Sequence, residues 1–212
     1  MEIKTQMKKL FLSSSFGDVV DIFKSYLTDD VKGKTVTFIP TASLVEEVTF
    51  YVDEARNAFR EMEVVIDALD ISTASEEMIS EKIKKNDFIY VSGGNTFFLL
   101  QELKRTGADK LIVEEINSGK LYVGESAGAI IVSSNIEYVK DMDDSKAATE
   151  LMSYQSLGVI DFYPVPHYGE FPFEEAAEQV VAKYNSELKL CPISNSQVIL
   201  VDGGNVKVVG LN

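Results

Sequence analysis

A serine flanked by glycines carries the clearest chemical signal in the sequence. Residues 124–128 are Gly-Glu-Ser-Ala-Gly, which fits the pattern G-x-S-x-G with Ser126 at its centre. The motif follows an apolar stretch at residues 121–123 and precedes a helical one, as a nucleophile elbow does. Glycines two residues before and after the serine relieve crowding at such a sharp turn. The pattern therefore predicts a nucleophile at Ser126, and the alternative interpretation is a tight turn with an incidental serine.

The only histidine of the chain is the candidate base for this serine. A serine hydroxyl is a weak nucleophile at neutral pH and needs a positioned base. His167 follows Tyr-Pro-Val-Pro at residues 163–166, where a strand is predicted to end. We therefore expect His167 to lie at the same edge of the sheet as Ser126 and to accept its proton.

Strands and helices alternate along almost the whole chain. Continuous apolar runs separated by helical patterns indicate a parallel sheet covered by helices on both faces. Predicted strands lie near residues 10–14, 36–39, 64–69, 88–91, 121–123, 162–165, 198–201 and 206–209. The last two flank Asp-Gly-Gly-Asn at residues 202–205, which is strong hairpin chemistry. The sequence thus predicts an α/β fold of three layers (αβα), with a mostly parallel, doubly wound sheet and a C-terminal β-hairpin, in one domain spanning residues 1–212.

Two glycine-rich turns follow predicted strands and indicate where a ligand binds. Ligands of such sheets bind beyond the carboxyl ends of the strands. The Gly-Gly pair at residues 93–94 follows one strand and the Ser126 turn follows the next, so both turns point to one site.

Earlier in the chain, Ser43 and Glu46 fit a capping box and predict the start of a helix that runs to about Met62.

Three short motifs taken together resemble a known family. They are Ser-Ala-Gly-Ala at residues 126–129, Ser-Gly-Gly-Asn-Thr at residues 92–96 and Pro-His at residues 166–167. At this separation they resemble the aspartyl dipeptidase (dipeptidase E) and cyanophycinase family of serine peptidases, and the resemblance spans nearly the whole chain. It implies a fold like that of class I glutamine amidotransferases, with serine in place of the usual cysteine.

The resemblance also implies a mechanism. Ser126 would attack a peptide or amide carbonyl, and His167 would take its proton and later donate it to the leaving amine. Backbone N–H groups near Gly94 and Ala127 would form the oxyanion hole.

The loop that carries the first of these donors includes Gly93, and Asn95 is expected to help hold it. The mechanism needs no metal and no cofactor.

The third member of the catalytic group is open to two assignments. Members of the family carry an Asp in an Asp-Met-Pro-like segment after the elbow, and Asp141 stands at the matching place. Asp143 and Asp144 replace the rest of that segment, for which a solvated loop is the alternative interpretation. A late acidic position used by relatives falls here at Asn195, a neutral amide. We take Asp141 as the predicted third member and Asn195 as the alternative.

A second departure from the family concerns the substrate. Aspartyl dipeptidases have arginines after the Pro-His step, which suit a substrate carboxylate. Residues 169–178 contain no arginine or lysine, and the whole chain has only Arg56, Arg60 and Arg105. We therefore expect hydrolysis of dipeptides or small amides that is not restricted to an N-terminal Asp, with weak or absent activity on dipeptides that begin with Asp.

Composition limits the partners and the compartment. The formal net charge of −14 over 212 residues disfavours nucleic acid and anionic membranes as partners. A single cysteine, Cys191, excludes an intrachain disulfide and suits the reducing cytoplasm. No G-x-G-x-x-G follows the first strand, and no Cys/His cluster has zinc spacing. Residues 1–6 are a possible dispensable leader, with Met7 as an alternative start.

Other functions remain compatible with these residues. The missing late carboxylate and the absent arginines are also compatible with a non-catalytic binding or regulatory protein on the same scaffold. An esterase or a transferase with the same nucleophile is a third possibility, because fold does not fix chemistry. The sequence leaves open whether the protein is a monomer or a homodimer.

Overall fold

A seven-stranded sheet forms the centre of the protein. The computed structural model describes residues 8–27 and 29–211, so the predicted leader at residues 1–6 lies outside the described residues. The strands are β1 (Lys9–Ser13), β2 (Thr35–Ile39), β3 (Val65–Ala68), β4 (Phe88–Val91), β5 (Leu121–Glu125), β8 (Gln197–Asp202) and β9 (Asn205–Gly210), in the order β3-β2-β4-β5-β1-β8-β9. The first five of this order are parallel, β8 is antiparallel to β1, and β8 and β9 form the predicted hairpin.

Helices cover both faces of the sheet, which confirms the predicted three-layer α/β fold. The α-helices are α1 (Val20–Tyr26), α2 (Phe50–Glu61), α3 (Glu76–Lys85), α4 (Thr96–Thr106), α5 (Ala108–Asn117), α6 (Ala127–Ile130) and α7 (Glu174–Tyr184). Side chains of α1 and α2 pack on one face, and those of α3 to α7 pack on the other.

The central strands explain why both faces are buried. Successive side chains of a strand point to opposite faces, so a strand covered on both sides must be apolar throughout. Along β1, Leu10 and Leu12 belong to the core on one face and Phe11 to the core on the other, and all three are fully buried. The continuous apolar runs of the sequence are therefore the direct cause of the layered arrangement.

A small second sheet lies outside the main one. Strand β6 (Tyr163–Val165), which was predicted, pairs in parallel with β7 (Leu190–Pro192), which was not predicted from the sequence. Helix α7 lies between these two strands in the chain and buries Ala177 and Val180 against the core. This βαβ unit brings residues 166–167 beside residues 193–195.

The predicted start of the second helix was wrong. Residues Thr41–Val45 form a 3-10 turn, and α2 begins only after Thr49. The hydroxyl of Ser43 donates to the carbonyl oxygen of Pro40 at 2.8 Å, so it does not cap a helix that begins there.

Candidate active site

Ser126 lies at a strained turn between β5 and α6. Its φ of 47° and ψ of −105° fall in a region that side-chain-bearing residues rarely adopt. A Cβ at Gly124 would lie 2.4 Å from the carbonyl oxygen of Gly128, and a Cβ at Gly128 would lie 2.2 Å from that of Val91. Only glycine fits at both positions, so the G-x-S-x-G spacing follows from the packing of the elbow on β4.

His167 faces this serine from the second sheet. Its Nε2 lies 2.9 Å from the Oγ of Ser126, the distance of a hydrogen bond. Serines at the end of β1 hold both partners. The backbone N–H of Ser126 donates to the carbonyl oxygen of Ser13 at 2.9 Å, and that of His167 donates to the hydroxyl of Ser14 at 3.0 Å. No role was predicted for Ser14 from the sequence, although it is the last residue of the first predicted strand.

Asn195 contacts the second ring nitrogen of His167. The Oδ1 of Asn195 lies 2.8 Å from Nδ1 of His167. Since a carboxamide oxygen only accepts hydrogen bonds, Nδ1 carries the proton. Nε2 is then the unprotonated nitrogen and can accept the proton of the Ser126 hydroxyl. The pairing of β6 with β7 makes this contact possible, because each strand leads directly into one of the two residues.

Asp141, the predicted third member, lies elsewhere. Its Oδ2 accepts a hydrogen bond from Nζ of Lys183 on α7 at 3.1 Å, and both side chains are about half exposed. The structure therefore brings the alternative residue, Asn195, to the His167 ring and leaves Asp141 in a surface ion pair. The reason is the docking of α7, which presents Lys183 to the segment that carries Asp141.

The loop between β4 and α4 borders the serine. Gly94 has a φ of 127°, and a Cβ there would lie 2.3 Å from the carbonyl carbon of Ala42. A Cβ at Gly93 would lie 3.3 Å from that of Ser126. Within the described residues, no hydrogen-bond acceptor contacts the backbone N–H of Gly94 or of Ala127. These two donors are therefore available to a ligand oxygen beside Ser126.

Asn95 and Asp143 fix the start of α4 and with it this loop. The side chain of Asn95 accepts from the backbone N–H of Phe98 at 2.9 Å and donates to the carbonyl oxygen of Asp144 at 3.0 Å. The carboxylate of Asp143 accepts from both the backbone N–H of Thr96, at 2.9 Å, and the Thr96 hydroxyl. Burial raises the pKa of Asp143 to about 6. The acidic segment at residues 141–144 therefore contacts the Gly93–Gly94 loop through Asp143 and Asp144. This contact could not be predicted from the spacing of residues in the sequence.

Glu125 is a buried carboxylate directly before Ser126. It accepts hydrogen bonds from the backbone N–H of Phe16 at 2.7 Å and from the hydroxyl of Tyr90 at 2.5 Å, with a longer contact of 3.5 Å to the N–H of Gly93. Burial raises the pKa of Glu125 to about 7, although these hydrogen bonds act in the opposite direction. The Glu125 side chain therefore links the elbow to the Gly93–Gly94 loop.

The surroundings of His167 keep its ring neutral at neutral pH. The ring of Phe173 stacks on the imidazole, with centroids 4.8 Å apart. Burial lowers the pKa of His167 below its ordinary value, while the Asn195 hydrogen bond and the charges of Glu170 and Asp18 act to raise it. A neutral imidazole with an unprotonated Nε2 is the form that a general base requires.

Sequence comparison decides the family of this chain. The pattern of peptidase family S51 matches residues 10–209. The chain belongs to peptidase family S51. It is therefore a peptidase, in agreement with the predicted enzyme class and with the resemblance to dipeptidase E.

Several relatives match almost the full length of this chain. An uncharacterized peptidase from Listeria monocytogenes is 54% identical over 200 residues, which cover 94% of this chain and 97% of the relative. An uncharacterized peptidase from Pasteurella multocida is 56% identical over 196 residues, which cover 92% and 94%. A protein named peptidase E from a Nostoc species is 27% identical, over 96% of this chain and 79% of its own length.

Two solved structures have the same architecture as this chain. A crystal structure from Listeria monocytogenes EGD-e, described as a candidate peptidase E, matches with a TM-score of 0.94 and 53% identity over 97% of this chain and 100% of that one. A peptidase from an acI-B1 Actinobacterium matches with a TM-score of 0.72 and 22% identity, over 99% and 91%. The second match shows the fold alone.

No metal-binding cluster or membrane span is found in the part of the S51 chain that the structure describes. Residues 8–27 and 29–211 contain no group of three or more His, Cys, Asp or Glu side chains arranged to hold a metal ion. No helix in these ranges is long and apolar enough to cross a membrane.

Proposed function

We propose that this S51 peptidase hydrolyses dipeptides or other small amides through a covalent acyl-enzyme, with Ser126 as the nucleophile. One observation carries the proposal. The hydroxyl of Ser126 lies 2.9 Å from Nε2 of His167, whose other ring nitrogen lies 2.8 Å from Asn195. Nucleophile, base and orienting group are thus connected in the order that acyl transfer requires.

The proposed reaction has two halves. In the first, Oγ of Ser126 bonds to the substrate carbonyl carbon while its proton passes to Nε2 of His167. The carbonyl oxygen becomes an oxyanion, and the backbone N–H groups of Gly94 and Ala127 are the donors proposed to stabilise it. The His167 proton then goes to the leaving amine as the C–N bond breaks. In the second half, a water molecule attacks the acyl-enzyme ester while its proton passes to Nε2 of His167. The bond between the acyl carbon and Oγ of Ser126 then breaks, His167 returns the proton to Oγ, and the acid is released.

Asn195 is proposed to act as a neutral orienting group. Its Oδ1 holds the proton on Nδ1 of His167 and fixes the ring plane, as a carboxylate does in a Ser-His-Asp group. It adds no negative charge to stabilise the imidazolium that forms during attack. The same arrangement with Asn occurs in cysteine proteases, where the nucleophile is more acidic.

The substrate side of the proposal follows from charge. Residues 169–178, directly after His167, contain four glutamates and no lysine or arginine. A substrate side chain that is anionic would meet like charges without a cationic partner. We therefore propose a preference for neutral or cationic dipeptides over those with an N-terminal Asp.

The proposal is tested by replacing the nucleophile. Ser126→Ala should abolish turnover of a dipeptide and amide panel while leaving the unfolding temperature within a few degrees of wild type, because a small hydroxyl is removed. Loss of the nucleophile of a Ser-His group typically lowers kcat by about 10⁶-fold. Ser118→Ala, an exposed serine at the opposite edge of the sheet, is the matched control and should leave turnover unchanged. Retained turnover in Ser126→Ala would remove the proposal.

A binding protein on the same scaffold is the second candidate. The neutral Asn195 beside His167 is the observation that favours it, because a carboxylate is the usual partner. A fluorophosphonate probe separates the two candidates. Attack by Ser126 would form an Oγ–P bond, break the P–F bond and pass the hydroxyl proton to His167. Labelling that depends on Ser126 supports the peptidase, and absence of labelling favours the binding protein.

A further inference from the structure

Glu170 occupies a position that connects the two residues of the His167–Asn195 pair. The chain turns sharply after His167, and the backbone N–H of Glu170 donates to the carbonyl oxygen of His167 at 3.0 Å. The Oε1 of Glu170 in turn accepts from the backbone N–H of Asn195 at 3.4 Å. The carbonyl oxygen of Glu170 accepts from the N–H of Phe173, the residue that stacks on the His167 ring, at 2.9 Å.

Glu170 also brings a negative charge to the ring. The hydrogen-bond partners of the imidazole are Ser126 and Asn195, and the ring of Phe173 stacks on it; all three are neutral. The charged groups that act on it are Glu170, from its own segment, and Asp18, from the 3-10 turn Gly17–Val19 that follows β1. In the part of the chain that the structure describes, Glu170 takes part in no salt bridge, so no neighbouring cation neutralises its field.

An imidazolium forms on His167 each time Ser126 attacks, and the orienting residue carries no charge to balance it. A carboxylate nearby stabilises the imidazolium and so favours proton transfer from the serine. The geometry and the charges together indicate that a residue other than Ser126, His167 and Asn195 stabilises the imidazolium.

We propose that Glu170 is a positioning residue that supplies, through the backbone of Asn195 and through its field at His167, the negative charge that Asn195 lacks. This inference rests on the proposed function of Ser126 and His167. Glu170 does not touch the reacting atoms. It fixes the loop that carries Asn195 and stabilises the protonated form of His167.

The test measures the rate of fluorophosphonate labelling of the full-length protein between pH 5 and 9. Labelling rises with pH as His167 loses its proton and reaches a plateau when the ring is neutral. In Glu170→Gln the imidazolium is less stable, so the midpoint should move about 0.5 pH unit lower and the plateau rate should fall about threefold to tenfold. Glu187→Gln, an exposed glutamate after the end of α7, is the matched control and should keep the wild-type profile.

Two further variants separate charge from structure. Glu170→Asp retains the negative charge, so the midpoint pH of its labelling profile should lie close to that of wild type. The double variant Glu170→Gln with Asn195→Asp places a carboxylate directly against Nδ1, so its midpoint should move back up and its plateau should recover. A merely structural role of Glu170 would not be rescued in this way.

The outcomes distinguish this inference from the proposed function. A wild-type protein that is not labelled at Ser126 overturns the proposed function and the inference with it. Labelling of wild type with an unchanged profile in Glu170→Gln overturns the role of Glu170 alone. A lower plateau at an unchanged midpoint, without rescue by Asn195→Asp, also overturns it, because only packing would then have been lost.

Discussion

At the scale of single residues, the site depends on backbone conformations that are energetically unfavourable for residues with side chains. Both Ser126 and His167 have positive φ angles, 47° and 59°. Such conformations cost about 1–3 kcal/mol each when a side chain is present. Two serines at the end of β1 hold them, since Ser13 accepts from the N–H of Ser126 and Ser14 from that of His167. The rigid central strand thus fixes both members of the Ser–His pair.

Glu125 makes the stability of the protein depend on pH. Its pKa is about 7 in the folded state, against 4.5 for an ordinary glutamate. Between these values the folded state binds a proton that the unfolded state has lost, so the free energy of unfolding falls as pH rises, by about 3 kcal/mol in total. Asp143, with a pKa of about 6, acts in the same direction at lower pH. His167, whose pKa is lowered, acts in the opposite direction below its unfolded pKa.

The variant Glu125→Gln isolates this contribution. Between pH 6 and 7, wild type should lose about 1 kcal/mol of unfolding free energy that the variant does not lose, since the contribution of Asp143 is common to both proteins. Urea unfolding at pH 5, 6, 7 and 8 measures the two slopes, and the effect of His167 cancels in their difference. Glu114→Gln, an exposed glutamate on α5, should follow wild type. Parallel curves for wild type and Glu125→Gln would show that Glu125 ionises at its ordinary pKa.

At the scale of elements, the acidic segment at residues 141–144 acts on the site through its contact with the first turn of α4. Asp143 binds the N–H and the hydroxyl of Thr96 at the first turn of α4, where a negative charge also interacts favourably with the helix dipole. Asp141, two residues earlier, makes only an exposed ion pair with Lys183. The two aspartates therefore differ sharply in what they hold, although they look alike in the sequence.

Comparing Asp143→Ala with Asp141→Ala tests this difference. Asp143→Ala should lower the free energy of unfolding by about 1–2 kcal/mol and reduce kcat about tenfold, since the Gly93–Gly94 loop loses its support. Asp141→Ala should change the free energy of unfolding by less than about 1 kcal/mol and leave kcat unchanged. Denaturant unfolding and turnover of the best dipeptide measure both. A large loss of kcat in Asp141→Ala would return the orienting role to that residue.

The same scale explains what the sequence could and could not predict. The apolar strands and the Asp-Gly-Gly-Asn turn dictate the sheet and its hairpin. The short strand Leu190–Pro192 has three half-buried residues and no periodicity, so only its pairing with β6 identifies it. For this reason Asn195 could be only an alternative to Asp141. Likewise, Asp143 caps a helix that begins 47 positions away in the chain, which local spacing cannot reveal.

At the scale of the whole molecule, charge is expected to select among substrates before they reach Ser126. The formal net charge is −14, and the segment directly after His167 contributes acidic groups without any basic ones. A field of one sign raises the local concentration of oppositely charged solutes and lowers that of like-charged ones, and salt screens both effects. Dipeptides that differ only in the charge of the N-terminal side chain should therefore respond differently to salt.

The comparison uses Lys-Leu, Ala-Leu and Asp-Leu at low and high ionic strength. At low salt, kcat/KM for Asp-Leu should lie at least about tenfold below that for Ala-Leu, because an anionic side chain meets the acidic segment without a partner. Raising the NaCl concentration from about 20 mM to about 500 mM should lower kcat/KM for Lys-Leu, raise it for Asp-Leu and change it least for Ala-Leu, since the Debye length shortens severalfold. Ala-Leu is the control for general salt effects on the enzyme. Turnover of Asp-Leu as fast as that of the best neutral or basic dipeptide at low salt would contradict the proposed charge selection.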